Sequence, residues 1–322
     1  MKISVVICTH NPREDYLLRT LEALKQQTLP KDQWEVLLID NASDEVLASR
    51  WDLSWHQHGR HILETELGLT PARMRGIKEA IGELILFVDD DNVLARDYLE
   101  RSLEIATQMP MLGCFGAGVI EPEFEQQPSA DLLPYTYMLA LRNEDEVHWS
   151  NVRDDIHFPW GAGLVVRADI ARRYSEKVSC SELSKNLDRK GSELNSCGDD
   201  EFSWVACDQG YGRGVYPSLR ILHLIDSKRV TKDYLLRIAA GHTYSKAVLH
   251  WVNQGVVPKR SRPCSLMNIP SVLFKCKISE FIAIVGGWWK RYRMAPIKRE
   301  FIEAQQLGID RAAVFIQSVN KI

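Results

Sequence analysis

The sequence predicts an α/β protein, a mostly parallel central sheet flanked by helices with a mainly helical region after it. Three observations carry this expectation. Short apolar runs rich in β-branched residues alternate with stretches of helical period through the first 107 residues. Three of those runs stop abruptly at polar residues. The last hundred residues read as helices interrupted near Pro258, Pro263, Pro270 and Pro296.

Residues 3–8 form the first buried strand, closed by the turn-forming pair Asn11-Pro12. The cation and apolar stretch at the start superficially suggest a signal peptide, but His10, Arg13 and Glu14 follow where a small-residue cleavage site would stand. Over residues 14–27, Leu17, Leu21 and Leu24 share one helical face. Residues 35–39 are the second strand and stop at Asp40-Asn41, and residues 61–63 are a weaker third. A helix over 71–81 opens on Pro71, which suits a first turn because its missing N–H would be unpaired there anyway. Residues 84–88 (LILFV) form a strand that runs into Asp89-Asp90-Asp91, and a helix follows over 95–107. Residues 121–155, with Pro122, Pro128 and Pro134, read as long loops with a helix near 137–142. A strand over 164–166 and a short helix from Asp169 come next, then a polar stretch at 175–197.

Sheets of this type bind ligands beyond the carboxyl ends of their strands. Thr9-His10-Asn11, Asp40-Asn41 and Asp89-Asp90-Asp91 each lie just past such an end, so three strands deliver polar groups to one edge. Three adjacent carboxylates repel one another, and a hard divalent cation, Mn2+ or Mg2+, would relieve that repulsion and bridge to phosphate oxygens. The competing role for the run is to cap the helix that follows. A dinucleotide-dependent oxidoreductase would need G-x-G-x-x-G after the first strand, where this chain has Thr9-His10-Asn11-Pro12.

Composition narrows the classes further. Hydrophobic content of 45% with 26% charged residues is that of a globular protein, which excludes disorder. The seven cysteines include no C-x-x-C pair, which argues against a disulfide framework or a cysteine zinc site and fits a reducing compartment. The longest apolar stretch near the C-terminus, residues 281–289, is far short of the roughly 20 residues a spanning helix needs. Charge is divided unevenly. Residues 1–222 carry 23 Lys and Arg against 37 Asp and Glu, whereas residues 223–322 carry 17 against 6.

Five motifs in order resemble glycosyltransferase family 2, with its GT-A type fold. VVICTHN is similar to the family's opening strand, LLIDNASDE to its second-strand segment, and ELGLTPARMRGIKEAIGELILFVDDDNVL to its Ala-Arg helix and D-x-D aspartates. GDDEFSW resembles its acidic base motif, and Gly210 to His223, with Pro217, its last strand. The resemblance covers residues 1–225 and implies a catalytic domain over 1–224. Residues 1–110 would be its nucleotide-binding half and 111–224 its acceptor-binding half, with a basic helical region over 225–322.

The resemblance implies roles residue by residue. Thr9, Asn11, Asp40, Arg73, Asp89 and Asp90 would bind the nucleotide sugar, with Asp40 on the base. Asp91 would be the first metal ligand, supported by Asp89 and His223. Asp200 would be the catalytic base, and Asp199, Trp160 and Gly161 would meet the acceptor. The chain departs from the family at Cys8, where many members have Pro, and at Met74, where Asn is common. Several of these residues keep an ordinary alternative. Asp199-Asp200-Glu201 suits an acidic helix start, His223 a satisfied structural histidine, and Trp160 core packing. His56, His58 and His61 lie in a polar loop with irregular spacing, a poor fit to a metal site.

The expected activity is metal-dependent, inverting transfer from a UDP- or dTDP-sugar to a glycan or lipid-linked acceptor, in cell-surface polysaccharide synthesis. A catalytically silent nucleotide-sugar-binding or scaffolding homologue is the alternative, and retention of Asp89, Asp91 and Asp200 argues against it. Trp288-Trp289-Lys290-Arg291-Tyr292-Arg293 mixes aromatic and basic residues as a helix on an anionic membrane does. The expected location is therefore cytoplasmic, with this region as the contact to the inner membrane face or, alternatively, as a packed helical subdomain. No nucleic-acid partner is expected.

Overall fold

The computed structural model describes residues 1–153, 156–181, 188–189, 194–260 and 294–319. The chain divides into two compact units, Met1–Leu235 and Leu236–Ile322. The first unit thus runs past 224 and takes in Arg229, which the site uses.

The first four long strands are β1 (Ile3–Thr9), β2 (Trp34–Asn41), β3 (Gly59–Glu64) and β4 (Leu84–Asp89), all parallel in the order β3-β2-β1-β4. They alternate with α1 (Glu14–Lys25) and α2 (Leu69–Glu79). Residues of β1 alternate between two packed layers, as period-2 geometry requires. Ile3, Val5 and Ile7 face a core layer with Leu17, Leu21 and Leu24 of α1, and Val6 faces the other layer with Ala72 and Ile77 of α2. Helix α2 approaches β1 closely at Gly76, where a Cβ would stand 2.3 Å from Val6 Cγ1.

Beyond β4 the sheet becomes mixed. After β5 (Asn92–Leu94) and α3 (Tyr98–Gln108) comes β6 (Leu112–Phe124), then the short edge strands β7 (Arg142–Asn143) and β8 (His148–Ser150). Strand β9 (Leu164–Arg167) leads into α4 (Ala168–Ser179), and α5 (Gly198–Asp208) precedes β10 (Gly212–Ile225). The order continues β4-β9-β6-β10-β5, with β9 antiparallel to both its neighbours and β6 parallel to β10. The loops expected over 121–155 are in part strand. Residues 121–124 end the thirteen-residue β6, and the helix expected near 137–142 is a 3-10 segment, Leu133–Leu139, followed by β7.

Strand β6 escapes pattern reading for a physical reason. Its first nine residues are buried on both faces, so no alternation marks it, and it carries three glycines. At Gly118 the backbone of β10 comes so close that a Cβ would lie 2.6 Å from Pro217 N. The register shift between Tyr216 and Arg220 lies at the same place.

In the second unit the described residues form two helices. Helix α6 (Lys232–Gln254) begins in the first unit, and α7 (Pro296–Val319) opens on a proline at its first position, where proline is favoured. They touch at Gly308, whose Cβ would meet Ala240 O at 2.1 Å, and at Thr243, whose hydroxyl donates to Gln305 O at 2.9 Å. Residues 288–293, the basic aromatic run, lie outside the described residues. Among the described residues no helix is long and apolar enough to cross a membrane.

Candidate active site

Register brings the strand ends together. Thr9 is paired with Asp40 across β1 and β2, and Cys8 with Asp89 across β1 and β4. The polar ends of β1, β2 and β4 therefore form one edge, where the strand order reverses direction between β1 and β4.

The turns after β1 and β2 are tied to each other. Asn11 adopts φ 49°, a left-handed conformation asparagine tolerates. Its N–H donates to Ser43 Oγ at 3.1 Å, its side chain donates to Asp44 Oδ2 at 3.0 Å, and its Oδ1 accepts from Asp44 N at 2.9 Å. Asp40 is buried and accepts from Ser43 N (3.1 Å) and Leu47 N (2.9 Å), so each carboxylate oxygen already holds the loop that follows β2. One lone pair per oxygen remains for a ligand.

The three aspartates are not equivalent. Asp90 turns back toward β1, accepting from the Thr9 hydroxyl, while Thr20 Oγ1 donates to its carbonyl at 3.1 Å. Burial and the neighbouring Asp91 push its carboxyl up to about 7. Asp89 is raised by the same two causes, with Arg73 pulling the other way. For Asp91, burial acts upward, yet His223 and Arg229 outweigh it and hold the carboxyl below the ordinary range. Arg229 Nη1 lies 2.7 Å and His223 Nε2 3.3 Å from Asp91 Oδ2. Strand β5 makes this meeting possible: it folds back antiparallel on β10 and pairs Asn92 with His223. Burial pushes the Cys8 thiol, beside Arg73, Asp89 and Asp90, up to about 12.

Arg73 reaches elements of the second half of the domain rather than standing alone. It is 4% exposed and pairs with the equally buried Asp188 at 3.1 Å. Asp188 also accepts from Thr70 Oγ1 (3.2 Å) and Gly198 N (2.9 Å). A Cβ on Gly161 would lie 2.5 Å from Arg73 Nη2, and one on Gly198 would lie 2.2 Å from Asp188 Oδ2. A side chain at either position would displace Arg73 or Asp188 from their pairing. Gly161 N donates to Asp199 Oδ2 at 2.9 Å, which fixes the loop before β9 against the first turn of α5. Asp200 lies on that same turn, 7% exposed. Trp160 packs at the edge of the core with the Arg142 guanidinium 3.7 Å from its ring centroid.

Sequence reading missed Asp188 and Arg229. Both sit in polar stretches without periodicity, and only contacts more than a hundred residues away single them out. Of the loop histidines, His56 belongs to the core, its ring 4.2 Å from that of Trp34 and its proton affinity lowered by burial to about 4. The His56, His58 and His61 side chains form no metal-ligand group.

The fold is a GT-A type α/β domain. Its likeness to a mannosyltransferase from Pyrobaculum calidifontis in complex with GDP-Man and Mn2+ has a TM-score of 0.56 at 16% identity, covering 97% of this chain and 86% of that one. The family model for glycosyl transferase family 2 matches residues 4–174, more than half of the chain, and the chain belongs to that family. A poly(ribitol-phosphate) beta-N-acetylglucosaminyltransferase of Staphylococcus aureus is 30% identical over 177 residues, 49% of this chain and 30% of that protein. A poly(ribitol-phosphate) beta-glucosyltransferase of Bacillus spizizenii is 31% identical over 156 residues, 44% of this chain and 24% of that protein. The matched stretch is thus less than a third of either relative's length.

Proposed function

We propose that the chain transfers a sugar, with inversion, from a uridine or thymidine diphosphate donor to a hydroxyl of a glycan or lipid-linked acceptor in cell-surface polysaccharide synthesis. The observation that carries this reading is the convergence of Thr9, Asp40, Asp89 and Asp91 on one sheet edge, with Arg73 tied through Asp188 to the start of α5 and Asp199 of α5 holding Gly161. The names of the two poly(ribitol-phosphate) relatives support a cell-surface polymer as acceptor.

Asp40 receives the base through its remaining lone pairs, while the paired turns at Asn11 and Asp44 hold the nucleoside. Arg73, anchored by Asp188, lends positive potential beside Asp89. Asp200 takes the proton of the acceptor hydroxyl, which is a poor nucleophile until a positioned carboxylate does so. Trp160 and Gly161 border the acceptor.

The donor set fits a divalent cation. Asp91 and His223 offer a carboxylate oxygen and an imidazole nitrogen 3.3 Å apart, and the buried His223 Nδ1 has no partner. A hard divalent cation commonly takes one or two carboxylates and completes its shell with phosphate oxygens and water, and the added imidazole makes Mn2+ a better fit than Mg2+. Bound there, the ion supplies Lewis-acid stabilisation of the departing diphosphate. Arg229, already 2.7 Å from Asp91, supports a second reading in which its guanidinium meets the diphosphate without a metal.

Thermal unfolding with UDP tests both. UDP at a hundred times its Kd, with Mn2+ present, is expected to raise Tm by roughly 5–11 °C, equivalent to about 2.7 kcal/mol. An equal rise in EDTA selects the Arg229 reading, and no rise with any nucleoside diphosphate overturns the donor site. The basic region over 225–322 is proposed as a peripheral membrane contact on its charge alone. Cosedimentation with anionic but not neutral vesicles is the expected result, and failure to sediment with either removes it.

A further inference from the structure

A second cluster of metal-ligating side chains lies away from the aspartate edge. Glu144 follows β7, His148 opens β8, and His157 lies in the segment that leads to Pro159, Trp160 and Gly161. One ligand atom from each of the three lies within 4.8 Å of the others. His148 Nε2 is 3.5 Å from Glu144 Oε2, and the two imidazoles lie nearly parallel, with centroids 4.0 Å apart and planes 15° apart. All three residues are half-buried.

We propose that Glu144, His148 and His157 bind a borderline transition-metal ion of the Zn2+ type, at a site separate from Asp89-Asp90-Asp91. Two imidazoles and one carboxylate suit zinc, whereas magnesium and calcium prefer an all-oxygen shell. Ligands about 2.0–2.1 Å from a tetrahedral ion stand about 3.4 Å apart, so binding requires the present spacing, within 4.8 Å, to close as the stacked imidazoles turn their ring nitrogens toward one point. Three protein ligands leave the fourth position to water.

The surroundings orient the set. Strand β8 is held in place by antiparallel pairing with β10, His148 opposite Val215. Glu144 N donates to Gly118 O at 2.8 Å, which fixes the backbone that carries the carboxylate. Arg142 Nε lies 3.7 Å from Glu144 Oε1, leaving Oε2 to face His148. A partner that holds the far side of a ligating group in this way fixes its direction toward the metal. Arg142 is also the cation on the Trp160 ring. An ion here therefore ties the segment at His157 to the sheet three residues before Trp160. The bearing of that tie on sugar transfer rests on the proposed function, but metal binding itself does not.

Co2+ is the probe, added to the full chain after stripping with chelator. The expected result is one equivalent giving the intense visible absorption of a four-coordinate site, displaced by one equivalent of Zn2+. Asp91→Asn keeps the band, and His148→Gln and His157→Gln each abolish it. Absence of the band, or a band that survives both histidine replacements, overturns the proposal. A measurement on the unaltered chain guards against variants that fold poorly: Zn2+ is expected to protect His148 and His157, among the nine histidines, from diethyl pyrocarbonate. Equal modification of these two with and without Zn2+ overturns it as well. Neither readout depends on turnover, so each is distinguishable from failure of the donor site.

Discussion

Asp200→Asn is expected to lower the transfer rate by roughly 10²–10⁴-fold, the usual contribution of a positioned general base, and to leave the UDP-dependent rise in Tm unchanged. Asparagine keeps the size and most of the hydrogen-bonding shape of the side chain but accepts no proton from an acceptor hydroxyl. The position is favourable for the role. Asp200 lies on the first turn of α5, where the helix dipole stabilises a carboxylate, beside Asp199, whose carboxylate holds Gly161 N. Asp199→Asn separates the two: it should weaken acceptor binding and raise KM while leaving most of kcat. Rate loss confined to Asp199→Asn, with Asp200→Asn fully active, would assign the base to Asp199 instead.

Asp188→Ala should be the most destabilising single change near the site. It leaves the Arg73 guanidinium, 4% exposed, without its carboxylate, and strips Gly198 N and Thr70 Oγ1 of their acceptor. Breaking a buried pair by removing one member costs about 3–5 kcal/mol. For a unit of this size that corresponds to a fall in Tm of roughly 6–20 °C. The double replacement Arg73→Met, Asp188→Leu is expected to recover much of the loss, because the isolated charge disappears with its partner. A fall of less than about 1 kcal/mol for Asp188→Ala alone, the range of an exposed pair, would mean that water reaches Arg73 and the pair is not buried in solution. A double variant no more stable than the single one would place the loss in the Gly198 and Thr70 contacts instead.

The first half of the domain was legible because its signals are local. Strands β1, β2 and β4 are short apolar runs bounded by turn residues, and the polar groups at their ends follow directly from where the runs stop. Parallel pairing then sets Thr9 beside Asp40 and Cys8 beside Asp89 without further information. The second half depends on distant partners. Strand β6 hides behind glycines and two buried faces, and β7 and β8 are two and three residues long, defined by β6 and β10 and not by their own pattern. Asp188 is one acid in a polar stretch until Arg73, 115 positions earlier, gives it a reason to be buried. Arg229 is one of many basic residues until β5 and β10 bring Asp91 to it. Glu144 and His148 fall in the stretch that reads as loop and His157 just past it, with spacing that matches no zinc signature, since β8 and the segment at His157 bring them together.

The pairing of Asp91 with Arg229 also imposes an order on the making of the protein. The two residues are 138 positions apart in the chain. At the usual pace of synthesis, about 5–20 residues per second, roughly 7–28 seconds separate the emergence of one from that of the other. Throughout that interval Asp91, just past the end of the nascent strand β4, has no Arg229 to pair with, and Arg73, already translated, acts on Asp89 alone. The first four strands can already pair, but Asp91 at their acidic edge is left to be screened by ions of the surrounding solution until the turn after β10 brings Arg229.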